Sequence, residues 1–138
     1  PDIKPRTREE ANHGNCTVQG VRGYAENYRV AGERREFAEC YTAACGSAIM
    51  DSTLRERVAF ADHSLATDCV FSATQLVACR NVLVYFDKAV QERALGLFHE
   101  SLCHRGFLVL GSKESIDFSA YGQRFEPWVR PERIYRKL

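Results

Sequence analysis

Apolar and polar positions follow different rhythms along this chain, and the clearest rhythm lies behind Asp87. Val90, Ala94, Leu95, Leu97, Phe98 and Leu102 recur at helical spacing and form one apolar stripe. Asp87 stands where a side-chain oxygen can cap the first turn, and the stripe runs to His104-Arg105 and then Gly106, a basic end followed by a stop. The pattern therefore predicts a long helix after Asp87. On either side of it the rhythm changes. Leu76-Val77-Ala78-Cys79 is a short apolar run bounded by polar residues, as expected of a central strand covered on both faces. Gly106 to Gly111 reads as a second buried strand. Strand, long helix and strand make a parallel unit with a right-handed crossover.

The remaining elements are shorter. Tyr24, Tyr28 and Ala31 share a helical face that Gly32 would end. Residues 36–50 read as a hairpin: Glu36 to Tyr41 alternates, Cys45-Gly46-Ser47 has turn chemistry, and Ala48-Ile49-Met50 returns. Asp51-Ser52-Thr53 can cap one helical turn over Leu54 to Arg57. Val58 to Ala61 is then a strand ending at Asp62-His63. Phe125 to Val129 and Arg133 to Tyr135, around Pro131, predict a closing antiparallel pair. Residues 1–20 read as a loose tail, with only Thr17-Val18 hinting at a strand, and residues 21–138 as one α/β domain. Gly20 and Gly23 lack the strand-turn-helix frame of a phosphate loop.

Composition narrows the function. A chain of 138 residues suits one domain, burying about two-thirds of its unfolded surface. With 45% apolar and 27% charged residues it is neither a disordered nor a membrane-spanning composition. The 19 basic and 18 acidic side chains leave no one-signed field to attract nucleic acid. Pro1-Asp2-Ile3-Lys4-Pro5 has no apolar stretch behind it, so a secretory signal is not expected and a cytoplasmic location is. Six cysteines raise the question of disulfides or a metal. They form no Cys-x-x-Cys pair, and His13, His63, His99 and His104 add no ligand spacing, so reduced, packed thiols and no metal site are expected.

Ligands of parallel sheets bind beyond the carboxyl ends of the strands. The residues there are Asp62-His63-Ser64-Leu65, then Arg80-Asn81 with Tyr85, then Gly111-Ser112-Lys113-Glu114-Ser115. Each residue has a plain structural alternative: Asp62, Ser64 and Asp87 as caps, Arg80 as an ion-pair partner, Tyr85 as a core aromatic. Three polar clusters at three strand ends nevertheless point to a ligand site.

Cys79-Arg80-Asn81-Val82-Leu83-Val84-Tyr85-Phe86-Asp87, a helix, and Gly106-Phe107-Leu108-Val109-Leu110-Gly111-Ser112-Lys113-Glu114-Ser115 resemble the signature of the chemotaxis-receptor methyltransferases, the CheR family: "CRNVLIYF", helix, "GGxLxLGxxES". Val58 to Leu65 is similar to the family's "VxFxxHNL". The resemblance implies a partial Rossmann-like methyltransferase sheet with a small β-hairpin insertion, S-adenosylmethionine as cofactor, and methyl transfer to glutamate carboxylates of chemoreceptors. It implies that Ser64, Leu65, Arg80 and Asn81 lie along the adenosine part of the cofactor and Tyr85 near the transferred methyl. The hairpin falls where the family inserts a β-subdomain that in some members pairs with a receptor tail.

The chain departs from that signature in carrying Ser64 where the family has Asn. It also shows no glycine-bearing loop, helix and acidic strand end between Pro1 and Tyr24, which implies an incomplete or degenerate member. In the family the first two strands lie between those at Val58 and Leu76. A gap is therefore expected there, closed by direct pairing of those two strands or by a homodimer. The alternative to an enzyme is a non-catalytic interaction module binding a peptide or itself through strand edges; a thiol or zinc protein ranks last.

Overall fold

The computed structural model describes residues 5–33, 35–44, 46–70 and 72–138. They gather into two units, residues 1–63 and residues 64–138.

In the first unit the segment read as a loose tail holds α1 (Pro5–Asn12), β1 (Asn15–Thr17) and the start of α2 (Val18–Val30). The correction has a long-range cause. Asn15, Cys16 and Thr17 pair antiparallel with Ile49, Ala48 and Ser47, a partner thirty or more positions away in the chain. The Thr17 hydroxyl oxygen then accepts the Gly20 N–H at 3.2 Å and caps α2. Gly20 and Gly23 lie inside that helix, and Gly32, at φ 82°, follows its end.

The hairpin forms from β2 (Tyr41–Ala44) and β3 (Ser47–Met50), giving a three-stranded antiparallel sheet in the order β1-β3-β2. Cys45 lies outside the described residues. Phe37–Cys40, read as the first half of the hairpin, is instead a turn of 3-10 helix. Its Phe37 ring sits between Tyr28 and Tyr41, with centroids 5.3 and 5.6 Å away, a packing that an extended segment would not give. Asp51 caps the one-turn α3 (Ser52–Arg55) as expected, accepting the Thr53 N–H at 2.8 Å. The strand predicted over Val58–Ala61 is not formed: residues 58–64 are irregular, and Val58 is 52% exposed. Among the described residues its apolar side chains join no strand ladder.

The second unit is built on β4 (Thr74–Cys79), α4 (Lys88–Ser101), β5 (Leu102–Leu110), β6 (Phe125–Val129) and β7 (Ile134–Lys137), with sheet order β4-β5-β7-β6. β4 and β5 run parallel, β7 antiparallel to β5, and β6 antiparallel to β7, so the predicted strand-helix-strand unit and closing pair are both present. The Asp87 carboxylate accepts the Val90 N–H at 2.9 Å. Ala94, Leu95 and Phe98 of α4 are buried in one core with Leu108, Leu110, Ile116 and Tyr135. Each large side chain buried there contributes about 2 kcal/mol.

Two details differ from the pattern. α4 stops at Ser101, and β5 starts at Leu102, passing Arg105 at φ 61°. Lys137 of β7 fixes that stop by donating to the Leu102 and His99 carbonyls, each at 2.7 Å. β4, read as central, lies at an edge: among the described residues it pairs only with β5, and Leu76 is 58% exposed. Among the described residues no helix is long and apolar enough to cross a membrane. The class is α/β, with the predicted hairpin and C-terminal antiparallel pair.

Candidate functional site

The carboxyl ends of β4 and β5 lie side by side, with Cys79 opposite Leu110. Each strand leads into a polar loop, and one side chain ties the loops together. Glu114, only 4% exposed, accepts N–H groups from Gly111 (2.7 Å) and Asn81 (3.0 Å) on Oε2, and from Val82 and Leu83 (2.8 Å each) on Oε1, with Val84 further off at 3.4 Å. Asn81, at φ 58°, turns this run of amides to one side and makes a concave nest for an anion. A buried carboxylate is tolerable there because peptide dipoles replace its lost water.

Carbonyls of the same loop are held from the other direction. Gln91 of α4 donates through Nε2 to the Leu83 carbonyl at 3.0 Å and to the Phe86 carbonyl at 2.9 Å. Gly111 has no room for a side chain, since a Cβ there would meet Asn81 Oδ1 at 2.4 Å and Glu114 Oε2 at 2.8 Å. Burial, and then the nearby Glu114 charge, push the Cys79 thiol up to about 12. It is a packed, unreactive thiol.

Of the residues singled out from sequence, Arg80, Asn81 and Tyr85 share this anchored loop. All three side chains are exposed, Tyr85 at 82%. Tyr85 is thus at the surface rather than in the core. Ser64 and Leu65 are placed by a different device. The Ser64 N–H donates to Asp68 Oδ2 at 2.7 Å, closing a turn, and Arg93 of α4 donates to the Thr67 and Asp68 carbonyls at 3.1 and 2.9 Å. Leu65 packs against the core. Sequence reasoning counted Glu114 only as one member of a polar cluster. Its signal was available, as a carboxylate three residues beyond a glycine that ends a buried strand. Gln91 carried no comparable signal.

Among the described residues no group of three His, Cys, Asp or Glu could hold a metal ion. Among the described residues Cys16, Cys40, Cys79 and Cys103 are free thiols.

A parallel strand pair joined by a helix, with an anchored loop at its carboxyl ends, defines an α/β domain of the kind that binds ligands at its strand tips. The family model described as "CheR methyltransferase, SAM binding domain" matches residues 9–128, and the chain belongs to that family. It is 70% identical over 136 residues to a Pseudomonas putida protein named "Putative methyltransferase Cher3", covering 99% of this chain and 50% of that protein. A "Chemotaxis protein methyltransferase" of Listeria monocytogenes is 39% identical over 62 residues, 45% of this chain and 24% of that protein. An uncharacterized 104.1 kDa protein of Rhodobacter capsulatus is 36% identical over 98 residues, 66% of this chain and 10% of that protein. The chain thus spans about half the length of the Pseudomonas relative and less of the other two.

Proposed function

We propose that this chain forms part of an S-adenosylmethionine-dependent methyltransferase that modifies glutamate carboxylates of chemoreceptors in the cytoplasm. One observation carries the reading: the loop from Arg80 to Tyr85 stands at the tip of a parallel strand, locked by Glu114 and Gln91, in a member of a SAM-binding family. The residues present fit one side of the cofactor. Arg80 and Asn81 offer exposed polar groups at the end of β4, and Leu65 and Ser64 offer an apolar and a hydroxyl group on a segment fastened to α4. When bound, S-adenosylmethionine supplies an electrophilic methyl on a sulfonium. An ionised carboxylate attacks such a group without a general base, so the work left to the protein is alignment. Tyr85, on the anchored loop, offers a hydroxyl that can orient the accepting carboxylate.

Titration calorimetry of the chain with S-adenosylhomocysteine tests this. Stoichiometric heat is the expected result, and Arg80→Ala or Asn81→Ala should weaken it; a silent titration at millimolar ligand overturns cofactor binding by this chain.

A second reading, a non-catalytic module that self-associates or binds a peptide through a strand edge, is favoured by the side of β4 that no described strand pairs and by the exposed Leu76. It predicts a homodimer by analytical ultracentrifugation that Leu76→Lys disperses, together with a silent cofactor titration.

A further inference from the structure

Three consecutive residues of α4 each reach a different loop. Gln91 donates through Nε2 to the Leu83 carbonyl at 3.0 Å and to the Phe86 carbonyl at 2.9 Å, the two ends of the turn that carries Tyr85. Glu92 accepts the Ala120 N–H at 3.1 Å, on the stretch between β5 and β6. Arg93 donates to the Thr67 and Asp68 carbonyls at 3.1 and 2.9 Å, in the turn that begins at Ser64. Successive side chains leave a helix about 100° apart, so these three fan over more than half of its circumference. α4 is itself fixed, capped by Asp87 and buried through Ala94, Leu95 and Phe98. A rigid rod therefore grips three loops, two of which carry the residues assigned to the cofactor and to the accepting carboxylate.

Those two grips differ in what they control. Tyr85 is exposed, so packing does little to direct it and the backbone of the turn sets where its hydroxyl points. The turn's own bonds are long, Tyr85 N–H to the Val82 carbonyl at 3.2 Å and Phe86 N–H to the Leu83 carbonyl at 3.1 Å. Half-buried Gln91 adds a donor at each end and so closes the turn from outside. Removing that donor leaves Asn81, at the tip of β4, held by Glu114 and loosens the far end of the loop at Tyr85. Arg93 acts on the other segment. There the Ser64 N–H donates to Asp68 Oδ2 and the Asp68 N–H to the Ser64 carbonyl, each within the turn. These local bonds shape the turn, and Arg93, with the packing of Leu65 against the core, attaches it to the helix.

We infer that Gln91 and Arg93 are positioning residues with separate duties: Gln91 directs Tyr85 at the accepting carboxylate and sets the rate of methyl transfer, whereas Arg93 docks the Ser64-Leu65 segment and sets cofactor affinity. The inference rests on the methyltransferase reading and deepens it, by naming the groups outside the site that govern each step. Neither side chain touches a reactant; each acts through the backbone it holds.

The tests are Gln91→Met and Arg93→Met, which keep a long side chain and a good helix former but remove the donor, with Glu92→Met as a control on the same helix. In methyl transfer to receptor fragments by the full-length protein, Gln91→Met should lose about tenfold in kcat with KM for S-adenosylmethionine within about twofold. Arg93→Met should raise that KM, and the Kd for S-adenosylhomocysteine in calorimetry, about threefold with kcat nearly unchanged, a small effect because its bonds are exposed. Arg93→Lys should recover part of the loss, since an ammonium can still donate to one carbonyl. Amide exchange supplies a readout that needs no cofactor. Tyr85 and Phe86 should exchange faster in Gln91→Met, and Thr67 and Asp68 in Arg93→Met, each without the other. Variants that shift kcat and KM together, a Glu92→Met that matches either of them, or unchanged exchange at both loops would overturn the division of duties and leave the methyltransferase reading standing. Wild-type protein that neither binds S-adenosylhomocysteine nor transfers methyl groups overturns both, and exchange that still follows the two grips then leaves them as architecture alone.

Discussion

Glu114 and Leu83 are 31 positions apart in the chain, yet the carboxylate of one accepts the backbone N–H of the other at 2.8 Å inside the core. That contact, repeated at Asn81, Val82 and Gly111, converts two loops at adjacent strand ends into one rigid rim. Removing the carboxylate leaves several buried N–H groups without an acceptor. Glu114→Ala should therefore cost about 3–5 kcal/mol in urea unfolding, and Glu114→Gln, which keeps one oxygen, about 1–3 kcal/mol. Native amide exchange at residues 81–84 should accelerate in both. Wild-type stability in the alanine variant would remove Glu114 as the anchor of the rim.

Gly111→Ala tests the same rim through shape. A methyl group would enter the space of Asn81 Oδ1 and Glu114 Oε2, with backbone at 2.7 Å on the Asn81 side, so it cannot be relieved by one rotamer change. A loss of about 2–3 kcal/mol is expected, as for overpacking in a tight core, read as a lowered denaturation midpoint with an unchanged slope.

Cys79 should resist alkylation in the native state and react only on unfolding, because burial and Glu114 keep its thiol protonated. The sign of the pH effect follows. Its folded value, about 12, lies above the ordinary 9.0, so the unfolded chain releases a proton that the folded chain keeps. This contribution is complete below pH 9 and is lost as pH rises toward 12. Thermal unfolding across that window should fall more steeply for the wild type than for Cys79→Ala.

His99 works at the acid end. Its ring packs against Tyr121 and Phe125, and burial, followed by the Lys137 and Arg124 charges, lowers its pKa below the ordinary 6.5. The unfolded chain then binds a proton more readily than the folded one, and stability declines as pH drops below 6.5. His99→Gln should flatten that part of the stability profile; an identical slope in the variant would assign the acid sensitivity to other groups.

Tyr85→Phe separates site from scaffold. With the side chain 82% exposed, stability should stay within about 0.5 kcal/mol of wild type. Methyl transfer to receptor fragments by the full-length protein should fall about tenfold or more if the hydroxyl orients the carboxylate, the loss of one such contact amounting to about 1.4 kcal/mol or more. Full activity would leave Tyr85 without a chemical role.

Local signals were read correctly where the physics is local. Asp87 and Asp51 cap helices because a carboxylate two or three residues before an N–H needs no tertiary partner. The stripe of α4 and the apolar runs of β4 and β5 declare themselves through period and length. The same holds for the motif from Cys79 to Asp87, whose residues run consecutively from the end of β4 to the cap of α4.

What sequence reading missed depends on partners remote in the chain. Residues 15–17 look like tail until Ser47–Ile49 pair with them, and Phe37 looks like strand until Tyr28 and Tyr41 close around it. Val58–Ala61 has strand composition but no ladder, because extended backbone is stable only where a neighbour supplies the hydrogen bonds. The sequence by itself determined which segments can be helix or strand and where caps and family motif fall. The tertiary structure decided which strands find partners, that β4 pairs only with β5 among the described residues, and that a glutamate beyond β5 holds the loop beyond β4. The physical reason is range: capping and amphipathic period are complete within a few residues, whereas strand pairing and the filling of a buried amide nest require groups that only the folded chain brings together.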